Sequence, residues 1–191
     1  MSWNSASVAG GLLVAAPALQ DPNFEHAVVL MCLHNEDGAM GLVINRAAPL
    51  TTLELMLQMG FECADDADPA QSVLIGGPVA IESGVLLYRA DPAASLREDE
   101  LPVTDELRLC PSQELLRAIA AGVGPPQFQL FLGHAGWGPG QLEQELAQGS
   151  WIPARADVAL IFETPLEERW DQALAAVGVS PAMLGTFRPQ N

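Results

Sequence analysis

The chain has 191 residues, 49% hydrophobic and 17% charged, with 24 acidic against 8 basic side chains and a formal net charge of −16. That balance excludes an intrinsically disordered composition. Every basic residue is arginine, which excludes Schiff-base lysine chemistry and a P-loop phosphate site.

The length suits one domain over residues 1–191, with enough chain to bury a substantial core. Residues 11–16 read as a short buried strand that Pro17 ends, and Asp21-Pro22-Asn23 is a turn signal. Residues 27–34 form a continuous apolar run, as in a central strand. The polar stretch 35–38 and the apolar residues 39–45 complete a hairpin. Thr51 with Glu54 forms a capping box for a helix to Met59, and Gly60 ends it. Residues 61–72 read as an acidic loop, and 73–75 and 84–89 as strands flanking Gly76-Gly77-Pro78.

Residues 91–104 read as a solvated acidic loop, and 105–110 as a half-exposed or edge strand. Ser112 caps a helix to about Ala121, with Leu115, Leu116 and Ile119 on one face. Residues 127–133 read as a strand, and Gly138-Pro139 as the start of the next helix. Residues 157–162 read as a last strand. Thr164-Pro165-Leu166-Glu167 reads as a capping box opening a helix with Leu166, Trp170 and Leu174 on one stripe. Adjacent strands in the first half and alternating elements in the second favour α+β, a mixed sheet flanked by helices.

The stretch Gly133-His134-Ala135-Gly136-Trp137-Gly138-Pro139-Gly140 reads as a glycine-rich turn between strand and helix. It is either a tight turn or an anion site, and Glu143 and Glu145 at the helix start oppose the anion. Gly76-Gly77-Pro78 between two strands reads as a turn or bulge, with a binding loop as the alternative. Arg46 serves either to grip an anion or to pair with an acid. His26, His34 and His134 lack zinc spacing, and the acidic runs 65–68 and 98–100 lack a calcium-loop pattern. Cys32, Cys63 and Cys110 contain no CxxC and read as free thiols. Cys32 and His34 share a strand face by alternation, the nearest approach to a nucleophile and base. No serine sits in GxSxG.

These blocks resemble the YqgE/AlgH family over about residues 10–186. The resemblance is carried by residues 11–16, by Asp21-Pro22-Asn23-Phe24, and by His34-Asn35 with Gly38 to Arg46. Gly76-Gly77-Pro78-Val79, Ala135-Gly136-Trp137 with Gly140-Gln141-Leu142-Glu143, and Pro165 with Glu167-Glu168-Arg169-Trp170 complete it. The resemblance implies a compact α+β domain around a mixed, strongly curved, barrel-like sheet. It implies no reaction. Some members carry the label transcriptional regulator, which names no chemistry. The chain departs from the pattern at His26-Ala27, where Arg-Ser is expected, at Ala47, where proline is expected, at Tyr88, near an expected histidine, and at His134, near an expected tyrosine. The missing arginine weakens an anion site.

The expected function is a regulatory or interaction module acting indirectly, without a recognised catalytic set and without a cofactor or metal. The alternative is a small-molecule or anion binder, or an unrecognised enzyme. Its candidate residues are Asp21, His34, Asn45, Arg46, Gly76, Gly77, Gly136, Trp137 and Gln141. A protein partner is expected. Direct nucleic-acid binding is disfavoured, because eight scattered arginines form no stripe in the sequence. The N-terminus lacks a signal-peptide pattern and no apolar run reaches bilayer length, so the cytoplasm is the expected compartment.

Overall fold

The computed structural model describes residues 7–64 and 70–179. Ten strands form one strongly curved sheet. They are β1 (Gly11–Ala15), β2 (Val28–Asn35), β3 (Gly38–Val43), β4 (Ala47–Thr51), β5 (Ser72–Ile75), β6 (Val79–Arg89), β7 (Leu101–Pro102), β8 (Leu107–Cys110), β9 (Phe128–Trp137) and β10 (Trp151–Arg155). The helices are α1 (Thr52–Gln58), α2 (Gln113–Ala120), α3 (Gln141–Ala147), α4 (Val158–Phe162) and α5 (Arg169–Ala176). The main order is β10-β1-β2-β3-β9-β6-β8-β7, with β4 and β5 branching from β9. The sheet is mixed through one pairing, since β5 runs parallel to β9 while every other pair is antiparallel.

The apolar run of β2 arises because both faces of the strand are buried. Val28, Leu30 and Cys32 enter one core cluster with α4 and α5, and Val29 and Met31 enter another with the tryptophans. β1 divides the same way, Leu12 and Val14 against Leu13 and Ala15. A third cluster lies under α1 and α2. The β2–β3 hairpin closes as expected, with Asn35 opposite Gly38 and the Asn35 side chain accepting from the Asp37 N–H. The α1 capping box forms in full, and Ser112 caps α2.

Strand β9 is the spine. Its first half pairs with β6 and β5, and Ala135–Trp137 pair with β3. The bend between them falls at Gly133, whose φ is 69°. An added Cβ there would lie 2.6 Å from the Gly77 carbonyl oxygen, so glycine is required on two counts. Most of the expected glycine-rich turn is therefore strand. Only 138–140 turn, and α3 starts at Gln141 with Gly140 as N-cap rather than at Pro139.

Four further expectations are corrected. Residues 157–162 are not a strand: Asp157 accepts from the Ala159 N–H at 2.9 Å and caps the short helix α4. The strand in that region is β10, which tolerates Pro153 because it is an edge. Thr164-Pro165-Leu166-Glu167 forms no capping box; Pro165 precedes a single 3-10 turn, Leu166–Glu168, that runs into α5. β8 is buried throughout and flanked on both sides, and the 91–104 loop contains β7 and packs across it.

Candidate functional site

The polar end of β3 holds the loop 21–27. The Asn45 Oδ1 accepts from the Val28 N–H at 2.9 Å, and its Nδ2 donates to the His26 carbonyl at 2.8 Å. Arg46 donates through Nη1 to the Pro22 carbonyl and through Nη2 to the Glu25 carbonyl, each at 3.1 Å. Asp21, exposed on the same loop, accepts from the Asn23 N–H at 2.7 Å. These side chains satisfy backbone groups that a loop would otherwise leave to water. Arg46 thus takes neither sequence alternative. It grips carbonyls, not an acid.

The loop delivers Phe24 to two tryptophans. Its ring stacks on Trp137 at 6.0 Å and meets Trp151 edge-on at 5.5 Å. Both indole N–H groups donate to the Glu145 Oε2, at 2.9 Å from Trp137 and 2.8 Å from Trp151. Gln141 donates to the Glu145 Oε1 at 2.9 Å, while its own oxygen accepts from the Gly138 N–H at 3.0 Å. The turn that could have offered an N–H to an anion thus gives it to Gln141.

His34 lies beside this group. The Val8 N–H donates to its Nδ1 at 3.1 Å, so the neutral ring carries its proton on Nε2 and gives it to the Glu143 Oε1 at 2.9 Å. Glu143 is held below the usual carboxylate range by its own backbone N–H and then by His34. Cys32 makes no pair with His34. It is the bulged position between Met31 and Leu33, its thiol donates to the Leu30 carbonyl at 3.5 Å, and burial pushes the thiol up to about 12.

Gly76 and Gly77 serve close backbone approach. A Cβ on Gly77, whose φ is 155°, would run into the His134 carbonyl, and one on Gly76 into that of Gly133. Gly136 pairs with Met40 across the β3–β9 ladder. Asp21, Asn45, Arg46, Trp137 and Gln141 are therefore linked through Phe24 and the tryptophans, with His34 one residue pair away at Glu143. The glycine pair belongs to the β9 bend instead.

Four clefts stand out among the described residues, and none of the four has any of these nine residues in its lining. Two of them, of about 840 and 850 Å³, share Ala154, Arg155 and Ala156 at the end of β10. A third, of 450 Å³, lies between α1 and the segment after α2 and is lined by Thr52, Met56, Gln71, Pro126 and Phe128. Thr52 Oγ1 is the one buried side-chain oxygen or nitrogen without a hydrogen-bond partner among the described residues. The fourth, of 220 Å³, runs beside β6.

Two buried polar arrangements escape sequence reading. Glu100, from the run expected to be solvated, has a side chain only 2% exposed. It accepts from the Tyr88 hydroxyl, from Arg97 at 2.9 Å and from Arg108 Nη1 at 3.2 Å. Burial alone would raise the Glu100 pKa, but the Arg97 N–H, the Tyr88 hydroxyl and the two guanidinium groups outweigh it and bring the carboxyl below its ordinary range. Burial and then Glu100 push the Tyr88 hydroxyl up to about 12. Arg169 is buried and donates to the Ile44 carbonyl and, at 2.9 Å, to the Thr164 carbonyl. Burial lowers its pKa to about 10, so it stays charged at neutral pH. An odd tyrosine and an arginine beside an exposed helix start were the available signals, and neither names its partner.

The AlgH-like family model matches residues 12–182. A UPF0301 protein of Xylella fastidiosa strain M23 is 40% identical over 94% of each chain. One of Photobacterium profundum is 43% identical over 90% of this chain and 92% of its own. The solution structure of the AlgH protein from Pseudomonas aeruginosa superposes with a TM-score of 0.76 at 36% identity, covering 100% of both chains. Protein DIP2367 from Corynebacterium diphtheriae shares the fold with a TM-score of 0.72 at 23% identity, over 91% of this chain and 88% of that one. Matched across most of its length by the family model and by these relatives, the chain belongs to the AlgH-like family.

Proposed function

We propose that the protein works by binding another protein, and that any effect on gene expression is indirect. The observation that carries this reading is the division of its side chains. The polar groups that resemble a ligand set are spent on internal hydrogen bonds, while large apolar side chains stand in solvent along β6 and the end of α1. Ile81 is 62% exposed, Val79 43% and Met59 39%. Exposed apolar surface marks an association site where it is contiguous.

The arginines support the same reading over nucleic-acid binding. Arg46 and Arg169 hold carbonyls, Arg89 pairs with Glu106, Arg97 and Arg108 with Glu100, and Arg117 lies over the Phe61 ring. A polyanion would have to detach these groups before counterion release could reward it.

Capture of tagged full-length protein from cell extract, with crosslinking, tests the proposal. A partner recovered in stoichiometric amount, and lost on Ile81→Asp, is the expected result. Repeated recovery of the bare chain removes the proposal. A specific, salt-sensitive complex with DNA in gel shifts replaces it with direct binding.

A further inference from the structure

Sheet edges invite pairing with other chains, and this fold guards three of them. The terminal strands β10, β7 and β4 contain Pro153, Pro102 and Pro49. On β10 the guard faces outward. Ala16 N–H donates to the Ser150 carbonyl, so alternation directs the backbone of Trp151, Pro153 and Arg155 away from β1. Pro102 lies opposite Arg108 at a similarly outward position, because Val103 N–H bonds to the Leu107 carbonyl.

The leading half of β6 carries no such guard. On one side it follows β9; on the other, β8 covers only Leu86–Arg89 and departs at Pro111. Ala90 N–H donates to the Glu106 carbonyl, so even-numbered residues of β6 face β8. The backbone of Gly84 therefore faces the side that β8 has vacated. Residues 80–83 bulge from β9, and regular pairing resumes at Gly84 opposite Leu132. Beside this edge lies the 220 Å³ groove, whose lining includes Met59, Glu82, Pro111, Leu116 and Leu132.

A free strand edge next to an apolar groove is the arrangement that accepts an added strand. Main-chain bonds supply affinity and the groove receives alternate side chains. Charge selects the occupant. Glu82 is the one ionised side chain among the described residues of the lining, the nearby Arg97 is bound to Asp99 and Glu100, and the chain carries −16. We propose that the Glu82–Val85 edge of β6 accepts an extended segment of a partner protein in which apolar residues alternate with lysine or arginine. The proposal rests on the protein-binding reading above and names its site.

Panning a phage-displayed library of random linear peptides against the full chain supplies the probe. Enriched peptides should alternate apolar and cationic residues. A synthetic copy should shift the amide resonances of Glu82, Gly84 and Leu116 saturably and slow hydrogen exchange at Gly84. Gly84→Pro removes the outward N–H while the β9 ladder uses odd-numbered residues, and should weaken binding at least tenfold. Glu82→Arg should weaken it about fivefold. Met59→Lys, outside the sheet, should do the same and keeps the test open if the proline variant does not fold. No enrichment, acidic peptides, shifts confined to another face, or variants that bind equally would each overturn the proposal. So would a chain dimer lost in Gly84→Pro, which would give the edge to a second copy. A partner captured from extract equally by wild type and Met59→Lys would leave the protein-binding reading standing and this site refuted.

Discussion

At the scale of single residues, buried charge and buried hydroxyls make distinct predictions. Arg169→Ala leaves the Ile44 and Thr164 carbonyls without their donor, a loss of about 2–4 kcal/mol. For a chain of this size that lowers the thermal midpoint by roughly 6–12 °C in calorimetry. Arg169→Lys should recover little, because an ammonium group cannot span both acceptors. Thr52→Val should act oppositely. It removes an unpaired buried hydroxyl and should stabilise by about 1 kcal/mol. A destabilised variant would mean that the hydroxyl has a partner in solution.

Tyr88 is the single tyrosine, so phenolate absorbance reports it alone. Its titration should centre at about 12 in the folded protein and near 10 in urea. The folded chain holds that proton more tightly, so the associated stability is present below about pH 10 and is lost as pH rises towards 12. Glu100 has the reverse sign. Its lowered pKa contributes stability at neutral pH that disappears as acid protonates the folded carboxylate. Urea unfolding across pH should show both limbs, and Tyr88→Phe should flatten the alkaline one.

At the scale of elements, the β5–β6 connection and the β9 bend are one joint, with Gly76 and Gly77 pressed on Gly133 and His134. Gly77→Ala forces a Cβ into backbone and should cost at least about 3 kcal/mol, read as a lower urea midpoint. Gly60→Ala meets open space, so only the left-handed backbone at φ 78° opposes it, and it should cost about 1 kcal/mol. The turn at Gly76-Gly77 was legible in the sequence, and so was the strand it presses on as far as Gly133, but not its continuation. His134 to Trp137 contain two small residues and read as turn, and only pairing with β3 makes them strand. The error at 157–162 has a similar root. Five helical residues are too few to show a period, so the Asp157 cap decided the structure, not the apolar run. β10 was hidden because Pro153 argues against a strand unless the strand is known to be an edge. The β2–β3 hairpin and α1 were read correctly because their signals are local: a two-residue turn and a complete cap. Among the candidate residues, the sequence offered Asn45, Arg46, Trp137 and Gln141 as ligand-binding groups, and the structure gives each of them hydrogen-bond partners inside the chain. The sequence could not show that their partners lie within the chain.

At the scale of the molecule, −16 on 191 residues means mutual repulsion across the surface. Added sodium chloride screens it, so the thermal midpoint should rise by a few degrees between low salt and about 0.15 M, where the Debye length is ~8 Å. A midpoint that falls with salt would show that ion pairs such as Arg108–Glu100 outweigh the repulsion.

The placement of β9 bears on how the chain is born. Its pairings with β3, β5 and β6 reach back across the first half of the sequence. A nascent chain that has not yet released residues 128–137 can pair β1 with β2 and β3, β4 with β5, and β6 with β8, but lacks the strand that joins these pieces. Synthesis therefore carries more than half the polypeptide out of the ribosome before the sheet can assemble, and waiting strands with open edges need shielding meanwhile.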